Sequence, residues 1–421
     1  AGSVTQFAYD ANDRRTAVTD PLGRTSRVQY DAAGRIVSRT DGIQQAADVL
    51  NFTSPVAPPL AGVGAADPLT RTTVYDYDPA GNVTAVTDAL GRITRYEYDP
   101  LDRLVRVVDP AGGETRFAYD PLGNLLTTTD PLGRTTRYAY DSLSRLVRVT
   151  DPLGGQWSYV YDADGNLVSQ TDANGDSTTS AFDDRNQLTA WTDAEGGVTA
   201  YAYDDAGRVI AWTDAMGQTT TVTRDEAGRL LTRTDPLGGV ASWTYDLAGN
   251  VLSATDEIGR TTSYAYDDLN RMRSSTDPLG SVTRFQYDAV GNLTGLIDPL
   301  ANEWTFGYDA LDRLAAETDP LGNTRTYRYD ALDNLTAQID RNGRRTVFAY
   351  DELDRLTTET WYDGNTVVNT LAFAYDAVGN LLTAADAQSR YAYTYDDLDR
   401  VLTADNTGTP GVPQVVLSYA Y

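Results

Sequence analysis

Residues 119–140 read YDPLGNLLTTTDPLGRTTRYAY, and most of the chain consists of variants of this stretch. With Tyr119 taken as position 0 of a unit, Leu125 lies at position 6, Asp130 at position 11 and Gly133 at position 14. The position 0 slot recurs every 21 residues, at Tyr77, Tyr98, Tyr119, Tyr140, Tyr161, Phe182, Tyr203, Arg224, Tyr245, Tyr266, Tyr287, Tyr308, Tyr329 and Tyr350. A fixed period of this length indicates a repeat architecture.

Composition excludes several function classes. The 421 residues carry a net charge of −26, and this acidity argues against nucleic acid or an anionic membrane as a partner. No apolar run approaches the roughly 18 residues of a membrane span, so membrane insertion is not expected. His, Cys and Lys are absent, which excludes Ser-His triads, cysteine nucleophiles, Schiff bases and His/Cys zinc sites. We expect neither an enzyme nor a cofactor.

The repeats predict a single array over residues 1–421. Residues 42–71 break the register with an insertion rich in Pro, Ala and Gly, which is typical of a surface loop or a lid. Spacing becomes irregular again from 361 to 421. Because the chain begins Ala-Gly-Ser and stops inside a unit at Tyr421, we expect a piece of a longer array.

Each unit reads as two β-strands and two turns. Runs such as 134–140 and 146–150 are rich in β-formers, and Asp, Pro and Gly bound them. The connections are too short for parallel crossovers, so the prediction is an all-β antiparallel meander of hairpins. Both turns of a unit fit a type I turn that Asp begins, with Gly in the left-handed position that follows.

An odd period requires a device that keeps side chains on their face of the sheet. Either the two turns differ by one residue or each unit contains a β-bulge. We favour a two-residue loop at Asp-Pro-Leu-Gly. One face then carries positions 6, 10, 17, 19 and 21, which are Leu125, Thr129, Thr136, Tyr138 and Tyr140. The other face is more variable and includes Trp191 and Trp212.

The strand count predicts curvature. An array of this length holds more than about thirty strands, and open twisted sheets rarely exceed about ten without curling. The meander should therefore coil into a spiral sheet, a tube or a hollow shell.

With these motifs in view, the chain resembles the Rhs/YD-repeat family. The resemblance rests on Tyr98-Asp99, Gly123-Asn124-Leu125 and the run 129–134, repeated over nearly the whole chain outside 42–71. It implies a β-sheet that spirals into a hollow shell around a C-terminal toxin, in secreted or cell-surface proteins of bacteria and in the related teneurins. The family's self-cleaving segment and toxin domain have no counterpart here, and the greater regularity leaves room for an open superhelix or filament.

Two candidate sites compete with purely structural roles. The aspartate rows suggest calcium, but successive members lie roughly 9–10 Å apart and cannot share one ion, so we interpret them as turn caps. Tryptophans could stack sugars, with Trp191 and Trp212 as the candidates, although the six tryptophans occupy different slots. No pair of carboxylates stands out as catalytic. The residues assigned to the repeat itself are Tyr98, Asp99, Tyr119, Asp120, Leu125, Asp130, Gly133, Tyr138, Tyr140, Asp141, Asp151 and Gly154.

These observations favour a structural scaffold: a segment of YD-repeat shell that encloses or presents a cargo, with neighbouring repeat segments or an enclosed toxin as partners. The alternative is an adhesion or carbohydrate-binding surface, with glycans as partners.

Overall fold

A computed structural model describes residues 4–43, 70–409 and 411–421. In these ranges the chain forms 37 β-strands and no helix. The strands are β1 (Gln6–Tyr9), β2 (Arg15–Thr19), β3 (Thr25–Tyr30), β4 (Ile36–Ile43), β5 (Arg71–Tyr77), β6 (Val83–Thr87), β7 (Ile93–Tyr98), β8 (Leu104–Val108), β9 (Glu114–Tyr119), β10 (Leu125–Thr129), β11 (Thr135–Tyr140), β12 (Leu146–Thr150), β13 (Gln156–Tyr161), β14 (Leu167–Thr171), β15 (Ser177–Phe182), β16 (Leu188–Thr192), β17 (Val198–Tyr203), β18 (Val209–Thr213), β19 (Thr219–Arg224), β20 (Leu230–Thr234), β21 (Val240–Tyr245), β22 (Val251–Thr255), β23 (Thr261–Tyr266), β24 (Met272–Thr276), β25 (Val282–Tyr287), β26 (Leu293–Ile297), β27 (Glu303–Tyr308), β28 (Leu314–Thr318), β29 (Thr324–Tyr329), β30 (Leu335–Ile339), β31 (Arg345–Tyr350), β32 (Leu356–Asp363), β33 (Thr366–Tyr375), β34 (Leu381–Ala385), β35 (Arg390–Tyr395), β36 (Val401–Asp405) and β37 (Val416–Ser418).

Every strand pairs antiparallel with the strand that follows it, from β1–β2 through β36–β37, and this confirms the predicted meander. The turns at position 1 of each unit lie along one edge of the sheet, called the first edge below. The turns at position 11 lie along the opposite edge, the second edge. A search of the described residues for a helix able to cross a membrane finds none.

Both kinds of turn have the same geometry, so the predicted two-residue loop is wrong for the regular units. In the second-edge turn, Gly133 N–H donates to Asp130 C=O at 2.9 Å, and Asp130 N–H donates to Arg134 C=O at 3.0 Å. Gly133 has φ +83°, so it adds a left-handed third residue after the type I turn. The first-edge turn at Asp120 repeats both bonds. The shorter connection does occur at Asp386, whose N–H bonds Ser389 C=O.

The odd residue of each unit is a β-bulge instead. Tyr140 pairs with Leu146, whereas Ala139 pairs with Arg148, so Val147 has no partner opposite it. The same shift occurs beside Leu125, where Leu126 is skipped. A bulge adds one residue without moving the following side chains to the other face, which keeps a 21-residue period in register.

The pairing corrects the predicted faces at one position. Tyr138 lies opposite Val149, and Thr136 lies opposite Thr128, so position 9 joins positions 6, 17, 19 and 21. Thr129 at position 10 pairs with Thr135 and lies on the other face. We call the face with positions 6, 9, 17, 19 and 21 the tyrosine face. In strands such as β13 its residues are half-buried, and the alternate residues are exposed.

The long insertion begins and ends in strands. Gly42 belongs to β4 and Arg71 begins β5, and these two strands pair with each other. Residues 44–69, the body of the predicted loop or lid, lie outside the described residues. The predicted irregularity after 361 corresponds to the elongated hairpin of β32 and β33 and to the short turn at Asp386.

Candidate functional site: turn edges, seam and aromatic face

The turn aspartates use their carboxylates inside their own turns, which confirms them as caps. Asp120 Oδ1 accepts from the N–H groups of Leu122 at 2.9 Å and Asn124 at 2.8 Å, and its Oδ2 accepts from the Asn124 side chain at 2.8 Å. Asp130 Oδ1 likewise accepts from the N–H groups of Leu132 and Arg134, and its Oδ2 accepts from Arg134 Nε at 2.6 Å. The described residues contain no group of three or more acidic side chains placed to hold a metal ion.

These bonds favour the ionised carboxylate. The Asn124 side chain lowers the pKa of Asp120, and the Arg145 backbone N–H lowers that of Asp141. Hydrogen bonds from the Gln388 backbone, and from Asn369 and Ser389, lower the pKa of Asp386 to about 2.

We therefore expect acid to unfold the protein. A carboxyl whose folded pKa lies below its unfolded value of about 3.9 stabilises the fold above that value and loses the contribution as pH falls. For Asp386 this window runs from about pH 4 to about pH 2. Denaturant midpoints at pH 7, 4, 3 and 2 should fall most steeply below pH 4. A flat profile, or one unchanged by Asp386→Asn, contradicts this assignment.

The position 0 tyrosines tie adjacent units together. The Tyr119 hydroxyl donates to Leu104 C=O at 2.8 Å, and Arg103 lies over the Tyr119 ring with its guanidinium carbon 5.0 Å from the centroid. Arg103 also donates to Asp120 C=O at 2.7 Å. The same hydroxyl bond and cation–π contact recur at Tyr161, Tyr245, Tyr287 and Tyr329.

Positions 4 and 5 reveal a 42-residue alternation that was not predicted from the sequence. Asn82 donates at 2.8 Å to the side chain of Asp102, at position 4 of the next unit. Arg103 instead donates to the backbone C=O of Asp120 in its next unit, where position 4 is Gly123 and has no side chain. Asn124 then donates to Ser144 at 3.1 Å. The signal was present in the sequence of the units from Tyr77 to Tyr161 and from Tyr245 to Tyr308, as alternating Gly-Asn and non-Gly-Arg pairs.

The remaining predicted repeat residues occupy their expected places. Asp99 and Asp141 cap first-edge turns, and Asp151 caps a second-edge turn through Gly155 N–H at 2.8 Å. Gly154 has φ +92°. Tyr98, Tyr138, Tyr140 and Leu125 lie on the tyrosine face, where Tyr98 pairs with Leu104.

The sheet closes on itself through ion pairs between its two edges. Arg24, in the turn between β2 and β3, donates to Asp312, in the turn between β27 and β28, at 2.7 and 2.8 Å. This bidentate pair joins turns 25 strands apart, so one coil takes about twelve and a half units and the 37 strands make about one and a half coils. The same offset recurs for Arg71 with Asp333, Arg92 with Asp354 and Arg134 with Asp399.

This contact between successive coils, called the seam below, follows matched slots. Each arginine lies at position 15 on the second edge, and each aspartate lies at position 4 on the first edge with φ of 60–70°. Between the Arg92 and Arg134 pairs, the same offset places Gly113 opposite Gly379. Glycine thus replaces the arginine of position 15 and the aspartate of position 4 at the same point of the seam. Burial accompanies the seam: Arg24 is 8% exposed and Ala331 is 4% exposed. Coiling was expected from the strand count, but none of these residues was assigned to it.

All six tryptophans lie on the tyrosine face, and this corrects the predicted placement of Trp191 and Trp212 on the other face. Trp191 pairs with Ser180 and Thr199, and Trp212 pairs with Tyr201 and Thr220. Trp191 and Trp212 share position 9 and lie two strands apart, with Tyr201 on the strand between them. The other four pair with tyrosine-face residues: Trp157, Trp243, Trp304 and Trp361. Near Trp243 this face has an open cavity of about 620 Å³, where the flanking side chains are Ala241 and Ala254.

Comparison with solved structures supports the coiled architecture. The chain is similar to the crystal structure of TcdB2-TccC3 without its hypervariable C-terminal region, with a TM-score of 0.60, 16% identity and coverage of 96% of this chain and 24% of that one. It is also similar to the Tc holotoxin pore of Photorhabdus luminescens with the mutation TccC3-D651A, with a TM-score of 0.52, 17% identity and coverage of 99% and 28%. The chain thus spans about a quarter of these proteins, and the likeness shows the fold. No curated protein matches the chain by sequence.

The repeats themselves identify the family. The RHS Repeat family model matches residues 1–25, 9–42, 63–93, 77–115, 119–156, 140–178, 161–198, 182–211, 203–240, 245–280, 266–303, 287–324, 308–343 and 329–360. These overlapping matches cover well over half of the chain. The sequence therefore builds 21-residue units with capped turns and bulged strands, and a seam joins their successive coils. The chain belongs to the RHS repeat family.

Proposed function

We propose that this chain is a non-catalytic scaffold, a segment of a secreted bacterial YD-repeat shell that encloses or presents a cargo encoded after the repeats. The observation that carries the proposal is the seam, because edge-to-edge ion pairs turn a ribbon into a wall that successive coils can extend. The similar Tc holotoxin pore, which is a toxin assembly by name, supports it. The lack of His, Cys and Lys supports a role without catalysis.

The natural gene product tests the proposal. We expect its reading frame to continue past Tyr421 into more repeats and then a dissimilar C-terminal domain. Limited proteolysis of that product should spare the C-terminal domain, and Arg24→Ala combined with Arg134→Ala should expose it by opening the seam. The matched control is Arg137→Ala with Arg284→Ala, which removes two arginines from the middle of strands β11 and β25, away from both edges of the sheet. A reading frame that ends in a cell-wall anchor, or a C-terminal domain digested equally in all variants, contradicts enclosure.

Glycan binding is the second candidate function, favoured by the arrangement of Trp191, Tyr201 and Trp212. Trp212 lies directly opposite Tyr201, and Trp191, which pairs with Thr199, lies diagonal to Tyr201 on the same face; Trp191 is 37% exposed. Trp191 and Trp212 are thus two strands across and two residues along from each other, roughly 12 Å apart, which is close enough for one polysaccharide chain to contact both rings.

We expect Trp191→Ala and Trp212→Ala each to weaken binding of any glycan found on an array by at least about tenfold, which corresponds to the loss of about 1.4 kcal/mol. Trp304→Ala is the control, since this residue lies on the same face but nine strands from Trp212. Circular dichroism verifies the fold of each variant. Equal binding by all three variants, or no glycan bound at all, removes this candidate.

A further inference from the structure

One unit of the tyrosine face leaves its aromatic side chain uncovered. Position 9 lies directly opposite position 19 of the preceding strand, and in most units it is larger than alanine, as with Val149 opposite Tyr138. The residue opposite Trp243 is Ala254, and Ala241 lies two residues before the tryptophan on its own strand. The largest side chain of the position 19 row therefore has methyl groups beside it, which leaves the open cavity of about 620 Å³.

Polar side chains border the same cavity. Arg233, directly opposite Ala241 on the tyrosine face, pairs with Glu257, and the two side chains are 46% and 31% exposed. The guanidinium supplies donors and the carboxylate supplies acceptors. The hydroxyl of Thr262, which lies opposite Ala254, can act as either. The cavity thus combines one indole wall with donors and acceptors that converge around it.

We propose that this cavity binds one pyranose ring of a neutral sugar, stacked on the indole of Trp243. A pyranose has an apolar face of C–H groups and a rim of hydroxyls, so it matches an aromatic wall beside charged donors and acceptors. An aromatic side chain of a peptide would make no use of the Arg233–Glu257 pair. The volume of about 620 Å³ lies within the range of small-molecule sites, which is roughly 300–1,000 Å³.

The cavity opens on the face of the sheet rather than on an edge, and the seam shows how covering the second edge affects this face. Beside the covered turns, residues of positions 9 and 17 remain half-buried: Val18, Ser26, Val86, Thr94, Thr128 and Thr136. Position 12, the slot of Glu257, is half-buried there as well, at Pro21 and Pro131. A further coil would meet the cavity at its rim, the turn residues 277–279, and would leave Trp243 accessible from the face.

This site is separate from the glycan candidate at Trp191 and Trp212. Trp243 lies on β21, three strands from Trp212 on β18, which is at least about 14 Å at the usual strand spacing. Neither site shares a wall residue with the other, so each can bind or fail to bind by itself.

Simple methyl glycosides test the site. In saturation-transfer NMR, we expect at least one of the methyl glycosides of glucose, galactose, mannose and N-acetylglucosamine to bind at millimolar concentration. Trp243→Ala should weaken that binding at least about tenfold, because it removes the stacking surface. Ala254→Leu should do the same, because it fills the cavity while leaving the indole in place. Ala384→Leu is the matched control, since Ala384 has the same slot opposite Phe373, far along the sheet.

Two further variants locate the binding. Arg233→Met keeps the bulk of the side chain but removes its donors, and we expect severalfold weaker binding. Trp191→Ala should leave binding of the methyl glycoside unchanged, because this residue lies five strands away. Circular dichroism verifies the fold of each variant. No binding of any methyl glycoside, undiminished binding by Ala254→Leu, or loss of binding by Trp191→Ala overturns the proposal. Tighter binding of N-acetylphenylalanine amide than of every glycoside also overturns it, and would assign the cavity to a peptide side chain.

Discussion

Asp309→Ala is expected to lower the free energy of unfolding by about 3 kcal/mol, a larger loss than we expect at the exposed turn caps. Asp309 accepts from Leu311 N–H at 2.8 Å, Arg313 N–H at 3.0 Å and Arg313 Nε at 2.7 Å. The two side chains are only 11% and 9% exposed. Removing one member of a buried ion pair leaves the other charge uncompensated and costs about 3–5 kcal/mol. The lower end applies because Arg313 keeps its contacts with Asp333 and the Tyr329 ring.

Asp256→Ala provides the matched control. It removes the same bonds from a second-edge turn of the same geometry, but its partner Arg260 is 66% exposed and can be solvated again. Denaturant unfolding of the two variants should therefore show a much larger loss for Asp309→Ala. Equal losses would mean that the cap acts within the turn alone and that burial at the seam adds nothing.

Arg24→Ala is expected to cost about 2 kcal/mol and to open the seam locally. Arg24 donates to Asp20 at 2.6 Å, to both carboxylate oxygens of Asp312 and to Ala310 C=O at 3.3 Å, in a site where it is 8% exposed. Asp312 is 43% exposed and can recover water, which keeps the cost below that of a fully buried pair. Hydrogen exchange should accelerate in the turns at Asp20 and Asp309, which are distant in sequence.

The control for Arg24→Ala is Arg134→Lys, which keeps the charge but cannot form two parallel bonds to Asp399. Asp399 raises the pKa of Arg134 by hydrogen bonding, so this arginine stays charged throughout. We expect a smaller loss than for Arg24→Ala, with exchange faster only near its own turns. Faster exchange confined to the turn at Asp20 after Arg24→Ala would contradict contact between coils.

Local features of the fold were predictable because they depend on neighbouring residues. Asp130 and Gly133 specify their turn through their own side-chain and backbone preferences, and the structure confirms both roles. The bulge at Leu126 was one of two alternatives, because a β-bulge and a turn shortened by one residue both fit a 21-residue period. The wrong choice moved Thr129 to the tyrosine face and Trp191 away from it.

The seam could not be predicted because it depends on accumulated curvature. A small change in twist at each of 25 strands decides which turns meet, and no single unit encodes that sum. The sequence does contain the match between Arg24 and Asp312, or Gly113 and Gly379, but the match becomes visible only after the offset is known. Unlike the seam, the alternation between Asn82 and Arg103 could have been predicted, because a comparison of the sequences of adjacent units would have found it.

A distance measurement tests the coil most directly. Spin labels on Leu132→Cys and Leu398→Cys mark the turns between β10 and β11 and between β35 and β36, which meet at the Arg134–Asp399 pair. With Leu311→Cys in place of Leu398→Cys, the second label moves eight strands along the sheet, about 38 Å at the usual strand spacing. We predict a short distance, below about 25 Å, for the first pair and a clearly longer one for the second. An uncoiled ribbon would separate the first pair by 25 strands, about 120 Å, and that result would contradict the coil.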